Sequence, residues 1–222
     1  MDWSAPVDLY CERTDPSFWA EPANALTNAA FLIAAAAALW AWRRAGGRDW
    51  AALALIAMVA GVGLGSFTFH TVGTRGAALA DVIPIAVFIY GYLLLALRRL
   101  LRLSIGISAA ILVAFAAGGQ ALSRLTPPLA LNGSIDYVPA LIALIAVARA
   151  AHGSARRGLD LAVMIFTVSL ALRSVDLAAC DVFPLGTHFV WHMLNATVLY
   201  VLLRTAIGDT ESEKETGPTP SS

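Results

Sequence analysis

Residues 51–72, AALALIAMVAGVGLGSFTFHTV, decide the fold because this stretch contains no aspartate, glutamate, lysine or arginine. A helix needs about 20 mostly apolar residues to cross a bilayer. Across the chain of 222 residues, 59% are hydrophobic and only 14% are charged. This composition is typical of an integral membrane protein and excludes a water-soluble domain.

Further apolar segments lie on both sides of this stretch. The other predicted spans are residues 23–43, 77–97, 103–122, 135–151, 158–179 and 186–206. The loops between them are short and polar or basic, which leaves no room for a second domain. We therefore predict an all-α, seven-helix membrane bundle formed by residues 1–206, in which residues 1–22 are an extracytoplasmic segment. Residues 207–222 are charged and rich in Gly, Pro and Ser, and we expect a disordered cytoplasmic tail.

The distribution of arginine predicts the orientation, because positively charged loops stay on the cytoplasmic side. One set of alternate loops carries the arginines of residues 43–48, 98–102 and 149–157 together with Arg204. The other side has Arg13, Arg75 and Arg124 and an acidic N-terminal segment. We expect the N-terminus outside and the C-terminus in the cytoplasm. The formal net charge is zero, and no basic patch supports a nucleic-acid partner.

Histidines and one acid converge at the outer ends of three predicted spans. His188 and His192 are four residues apart and share one helix face. With the predicted topology, His70 and Asp81 lie at the same membrane depth, and Ser66 is one turn before His70. A single histidine could instead bond to a neighbouring helix. Three histidines at one depth favour a metal site.

Zinc is the favoured metal, because three neutral imidazoles and one open position lower the pKa of a bound water to about 7. Asp81 could accept a proton and Ser66 could stabilise an oxyanion, which favours hydrolysis. A histidine pair four residues apart also suits haem or copper, so an electron-transfer protein stays open. A retinal protein is excluded, since the only lysine is Lys214 in the predicted tail.

Short motifs along the chain, in their order and spacing, resemble the alkaline ceramidases. This family lies within a wider superfamily of seven-helix membrane hydrolases that includes adiponectin-type receptors. The matching residues are Tyr10-Cys11-Glu12, Glu21 with Asn24 and Asn28, Gly65-Ser66 with His70, Asp81 with Pro84, and His188 with His192.

The resemblance implies a zinc-dependent amidase that cleaves the N-acyl bond of ceramide into sphingosine and a fatty acid. It implies His70, His188 and His192 as zinc ligands. Asp81 would move protons between water and the leaving amine, and Ser66 would assist at the oxyanion.

The resemblance also implies a calcium site in the N-terminal segment, where hard oxygen ligands are required. Glu12 and Glu21 match the family pattern, and Asp8 or Asp15 could add oxygen ligands. Leu9 stands where the family pattern has an acid. The alternative is a solvated acidic terminus folded over the helix ends.

Other polar residues also give predictions. Cys11 and Cys180 both lie on the predicted outer face, where a disulfide is permitted, the alternative being two buried thiols. Arg173 and Asp176 are three residues apart in one span, which predicts an intrahelical ion pair.

The resulting prediction is a membrane hydrolase whose ceramide-like lipid substrate enters sideways between helices. Compact loops and the lack of organelle signals favour a bacterial inner membrane. Two alternatives stay open. One is a related hydrolase that acts on an N-acyl amino acid, another sphingolipid or a phospholipid ester. The other is an adiponectin-receptor-like sensor that keeps zinc for structure.

Overall fold

The computed structural model describes residues 2–127 and 129–215, and for residues 209–215 the backbone alone. The helices in these ranges are α1 (Pro22–Thr27), α2 (Ala29–Arg44), α3 (Trp50–Val72), α4 (Arg75–Arg99), α5 (Ile105–Leu125), a 3-10 helix (Ser134–Tyr137), α6 (Val138–Ala150), α7 (Gly153–Ala179) and α8 (His188–Glu215). Among the described residues the only other regular pairing is an isolated β-bridge between Pro6 and Thr74. The all-α prediction is confirmed.

Six helical segments of the described chain are long and apolar enough to cross a membrane, with α1 and α2 counted together as Pro22–Arg44. The predicted span 135–151 is the exception. It consists of the 3-10 helix and α6, which has 13 residues. A helix of this length extends about 20 Å, whereas the hydrocarbon core is about 30 Å thick. The structure supports a multi-pass membrane protein with six candidate spans, and the seventh span stays a prediction.

The last helix extends further than the sequence predicts. We placed the end of the bundle at residue 206, but α8 continues to Glu215. Residues 207–215 of the predicted tail are therefore helical, and residues 216–222 lie outside the described part of the chain.

Side-chain caps begin α3 and α4, and one glycine forms the turn between these two helices. The Asp49 side chain accepts a hydrogen bond from the first turn of α3, and the Thr74 side chain does the same for α4. Each cap satisfies a backbone N–H group that the helix itself leaves unpaired. Gly73 ends α3 with φ of 61°, in the left-handed region that glycine adopts without strain. The chain can thus reverse directly after His70.

A close backbone contact fixes the register of α3 against α4. A Cβ atom placed on Gly65 would lie 1.9 Å from the carbonyl oxygen of Ala80. Only glycine allows the two helices to approach this closely. Because Ser66 and Asp81 directly follow these two residues, the contact brings their side chains to the same level of the bundle.

The N-terminal segment folds over the α3–α4 turn. The Val7 N–H donates to the Gly73 carbonyl at 2.8 Å, and the Arg75 N–H donates to the Ala5 carbonyl at 3.0 Å. A disulfide joins Cys11 to Cys180, which follows α7, with 5.2 Å between their Cα atoms. The segment is therefore attached to the bundle at two points, the α3–α4 turn and the end of α7.

Candidate functional site

The three predicted metal ligands come together inside the bundle. His70 lies in the last turn of α3, His188 is the first residue of α8, and His192 is one turn further along. Each offers a ring nitrogen, and these atoms lie within 4.8 Å of one another. All three residues are at most 2% exposed. This arrangement could hold a metal ion.

Two of the rings are oriented by hydrogen bonds at Nδ1. The His70 Nδ1 lies 2.5 Å from a carboxylate oxygen of Glu21, to which it donates. The His192 Nδ1 lies 3.0 Å from the Thr27 hydroxyl oxygen. That hydroxyl has one proton, which it donates to the Ala23 carbonyl at 2.7 Å, so its oxygen accepts from His192. In the neutral form of each ring, Nε2 is then the nitrogen that can bind a metal.

Two buried ring nitrogens in this group lack a partner among the described residues. They are Nε2 of His70 and Nδ1 of His188. Buried polar atoms are nearly always hydrogen-bonded or bound to an ion. A metal such as zinc binds neutral imidazoles through unpaired ring nitrogens. A carboxylate or a hydroxyl that bonds to the other nitrogen of the ring orients such a ligand.

Glu21 is the centre of a buried hydrogen-bond network. Besides His70, it accepts from Arg13 Nε at 2.5 Å and from Asn24 Nδ2 at 3.0 Å. Burial alone would raise the pKa of Glu21. The hydrogen bonds from His70, Asn24 and Arg13 outweigh burial, so the pKa lies below its ordinary value. Glu21 thus stays ionised next to His70.

The four acids predicted for calcium do not form one group in the described structure. Glu12 accepts the backbone N–H groups of Ala23 at 2.6 Å and Asn24 at 2.8 Å, where it caps the start of α1. Asp8 and Asp15 are exposed. The cation beside Glu21 is the guanidinium of Arg13.

Asp81 and Ser66 line a polar cavity of about 100 Å³ together with His188 and His192. The Ser66 side chain lies beside the Asp81 carboxyl group. Oxygen Oδ1 of Asp81 is buried and has no hydrogen-bond partner among the described residues. A carboxylate and a hydroxyl therefore share one cavity with His188 and His192.

A second cavity of about 80 Å³ lies against the first. Its lining is almost entirely apolar and comes mainly from α4, α6 and α8. Ile85, Tyr137 and Asn195 line both cavities. An apolar chain that starts in the second cavity could therefore present its polar end to the first.

Asp176 is a site residue whose role the sequence did not reveal. Its Oδ1 accepts the backbone N–H groups of Thr187 at 2.6 Å and His188 at 2.9 Å, and its Oδ2 accepts that of Cys11 at 3.2 Å. Asp176 thus caps α8 at the first histidine. The predicted ion pair between Asp176 and Arg173 is wrong, because the Asp176 carboxylate accepts hydrogen bonds from these backbone N–H groups instead. Asp176 lies within α7, twelve residues before His188, so no local capping pattern in the sequence signals this role.

Tyr10 forms one wall of the site. Its ring stacks on His188 with centroids 3.6 Å apart and an angle of 18° between the planes. Burial raises the pKa of the Tyr10 phenol above its ordinary value, so the group stays neutral. The adjacent disulfide anchors this ring. The N-terminal segment is thus part of the site and not only a cover.

Comparison with known proteins identifies the family of this chain. A family model described as Ceramidase matches residues 6–219. No curated protein matches the chain. The matched range contains every helix and every residue of the site described above. The chain therefore belongs to the Ceramidase family of hydrolases that act on amide C–N bonds.

Proposed function

We propose that this protein is a zinc-dependent membrane amidase that hydrolyses the N-acyl bond of ceramide to sphingosine and a fatty acid. The observation that carries the proposal is the group of three buried histidines, whose ligand atoms lie within 4.8 Å of one another. Asp81 and Ser66 share a cavity with two of these histidines. The family membership supports the amide bond as the target.

His70, His188 and His192 would hold the zinc ion. When bound, zinc supplies Lewis-acid polarisation of a carbonyl group and acidifies water at neutral pH. Glu21 and Thr27 hold the rings of His70 and His192 in the tautomer that ligation needs.

The residues of the cavity would then move the protons. As the oxygen of a water molecule joins the amide carbonyl carbon, Asp81 accepts a proton from that water. Ser66 donates a hydrogen bond to the carbonyl oxygen as it becomes negative. Asp81 then gives its proton to the nitrogen as the C–N bond breaks. The products are a carboxylic acid and an amine, so atoms and charge balance.

The adjacent apolar cavity supports a lipid as the substrate. It shares three lining residues with the polar cavity, so an acyl chain could lie between α4, α6 and α8 while its amide faces Asp81. An acyl chain that moves from the bilayer into this cavity stays in an apolar environment, so its transfer costs little free energy.

The direct test is ceramide turnover by purified wild type, His188→Ala and Asp81→Ala, with metal content measured in parallel. We expect wild type to contain stoichiometric zinc. His188→Ala should lose both zinc and turnover, whereas Asp81→Ala should keep zinc and lose turnover. His152→Ala is the matched control, because this exposed histidine lies outside the site.

Two outcomes would contradict the proposal. Unchanged turnover in both site variants would remove the mechanism. Zinc without turnover of any amide lipid, in a panel that includes an N-acyl amino acid and a phospholipid ester, would favour a sensor with structural zinc.

The proposed orientation places the N-terminus and the site on the outer side of a bacterial inner membrane. The arginine-rich loops support this orientation. Reporter fusions after residue 45 and after residue 73 test it. The first should be active only with a cytoplasmic reporter and the second only with a periplasmic one; the reverse pattern would overturn it.

A further inference from the structure

Arg173 of α7 presents a guanidinium group to the polar cavity of the site. It lines this cavity together with Ser66, Asp81 and the two histidines of α8. The residue is only 9% exposed. A charged side chain within a membrane-spanning helix is costly, and it usually faces a partner or a functional cavity.

Aromatic rings surround this cation. The Arg173 Cζ lies 5.7 Å from the ring centroid of Tyr10, 5.4 Å from that of Tyr137 and 5.5 Å from that of Trp191. Such contacts attract a cation, but they leave most of its N–H donors without an acceptor.

The hydrogen bonding of the guanidinium is incomplete. Within the described residues, Nη1 makes one long hydrogen bond of 3.4 Å to the Tyr10 hydroxyl, and Nε is buried without any partner. No carboxylate of the described residues lies within ion-pair distance of Arg173. Arg13, which is equally buried, pairs with Glu21 at 2.5 Å. The buried Arg13 thus has a carboxylate partner, whereas the buried Arg173 has none among the described residues.

The backbone around Arg173 keeps this arrangement in place. The Asn132 side chain donates to the Arg173 carbonyl at 3.3 Å. Gly133 has φ of 72°, and a Cβ atom there would come within 3.2 Å of Nη2. The loop before the 3-10 helix thus fits closely around the guanidinium without supplying an acceptor for Nε.

We propose that Arg173 forms an anion-binding subsite that takes the carboxylate group of an acyl-chain ligand. A planar carboxylate can accept two parallel hydrogen bonds from a guanidinium, which suits a small cavity better than a larger anion does. The apolar cavity next to it could take the part of the chain nearest to the carboxylate. This inference names a ligand class for the proposed amidase site and rests on that proposal.

The carboxylate could come from two sources. One is the fatty acid released by hydrolysis, which carries the group at the end of its chain. The other is a substrate with a carboxylate on its amine half, such as an N-acyl amino acid. Both present the same group to Arg173, and kinetics can separate them.

The first experiment compares binding of palmitate with binding of palmitamide, which has the same chain and no charge. It uses the metal-loaded protein in detergent and measures both dissociation constants. We expect wild type to prefer palmitate by about 10-fold or more, as for a charge-assisted bidentate contact. Arg173→Gln should abolish the preference. Arg149→Gln should keep it, since Arg149 is exposed and faces Asp160 at 3.8 Å.

Each result decides the proposal. It is overturned if wild type shows no preference, or if folded Arg173→Gln keeps the full preference, because the metal alone would then bind the carboxylate. If Arg173→Gln does not fold, Arg173→Lys replaces it. Lysine keeps the positive charge but lacks the planar guanidinium group, so the preference for palmitate over palmitamide should decrease but remain measurable. An unchanged preference in Arg173→Lys would also overturn the proposal.

The second experiment separates the two sources through the hydrolysis of N-palmitoylglycine and N-palmitoylethanolamine, of which only the first is anionic. A loss of the kcat/KM preference for N-palmitoylglycine in Arg173→Gln assigns the subsite to the substrate. If Arg173→Gln instead keeps that kcat/KM preference but is inhibited more weakly by palmitate, the subsite is assigned to the product. If wild type hydrolyses no amide while palmitate binding still needs Arg173, the amidase proposal fails and the subsite stands.

Discussion

At the scale of single residues, the site depends on side chains that would not touch the metal themselves. Glu21 and Thr27 determine which nitrogen His70 and His192 present, and Asp176 holds the backbone at His188. These partners matter because a ligand that can rotate or change tautomer loses affinity. The three histidines are thus one part of a larger hydrogen-bonded unit.

Glu21→Gln tests this dependence. The variant keeps the shape of the side chain but loses the charge that holds the His70 Nδ1 proton. We expect metal affinity to fall about 10- to 100-fold, as measured by competition with a chelator below the unfolding temperature. Asp15→Asn, an exposed acid of the same segment, should leave the affinity unchanged. An unaltered affinity in Glu21→Gln would mean that Glu21 does not orient His70.

At the scale of helices, a few contacts determine how the elements meet. The close approach of Gly65 to Ala80 aligns α3 with α4, and Gly186 allows the turn before α8. A Cβ atom on Gly186 would lie 2.2 Å from Asp176 Oδ1. Both glycines keep a carboxylate of the site within reach of its neighbours.

Gly65→Ala tests the helix contact. The added methyl group cannot fit 1.9 Å from the Ala80 carbonyl oxygen, so the two helices must separate. We expect a lower unfolding temperature and a loss of turnover, because Ser66 and Asp81 move apart. Gly61→Ala is the matched control in α3, since its Cβ atom would meet Pro84 at an ordinary 3.7 Å. Equal effects of the two substitutions would contradict the role of Gly65.

The ion pair between Asp49 and Arg99 gives a pH dependence. It joins the start of α3 to the end of α4, with N–O distances of 2.5 and 3.0 Å. Burial would raise the pKa of Asp49, but the hydrogen bonds from Arg99 and Ala52 lower it below the ordinary value. The stability from this charge is therefore present above about pH 4 and is lost as the pH falls through the native pKa.

Asp49→Asn tests this dependence, because asparagine keeps the helix cap and removes the charge. We expect the variant to unfold at a lower temperature than wild type at pH 7. This difference should shrink toward zero below pH 4, whereas the same comparison for the exposed Asp181→Asn should show little difference at either pH. A constant difference across the pH range would exclude the ion pair as its cause.

At the scale of the whole molecule, the N-terminal segment and the membrane bundle form one structure. The segment supplies Tyr10 and Glu21 to the site and is linked to the end of α7 by the disulfide. We therefore expect its attachment to affect both folding stability and the shape of the three-histidine site.

The double variant Cys11→Ser, Cys180→Ser tests this coupling. The disulfide joins residues 169 positions apart, and native disulfides typically contribute about 2–5 kcal/mol. We expect a lower unfolding temperature and faster loss of metal to a chelator. Dithiothreitol should produce the same changes in wild type and none in the double variant, since the chain has two cysteines in all. A reduced wild type that keeps its unfolding temperature would contradict the prediction.

The sequence by itself determined the helical membrane class and the residues that converge. Long apolar segments must be helical in a bilayer because their backbone groups find no other partners there, so span positions follow from composition. The predicted topology placed His70, Asp81, His188 and His192 at one depth, because one span ends and two spans begin there on the outer side. The short α6 was harder to predict, since apolar length in the sequence does not show where a helix starts.

Only the tertiary structure decided which partner each buried polar group takes. Sequence spacing suggested that Asp176 pairs with Arg173, but folding brought backbone N–H groups to Asp176 and left Arg173 facing the cavity. It also placed the Arg13 guanidinium beside Glu21, a pairing that the sequence did not predict. None of these pairings follows the three- or four-residue spacing of a helix face. They depend on how helices pack, which local sequence patterns do not contain.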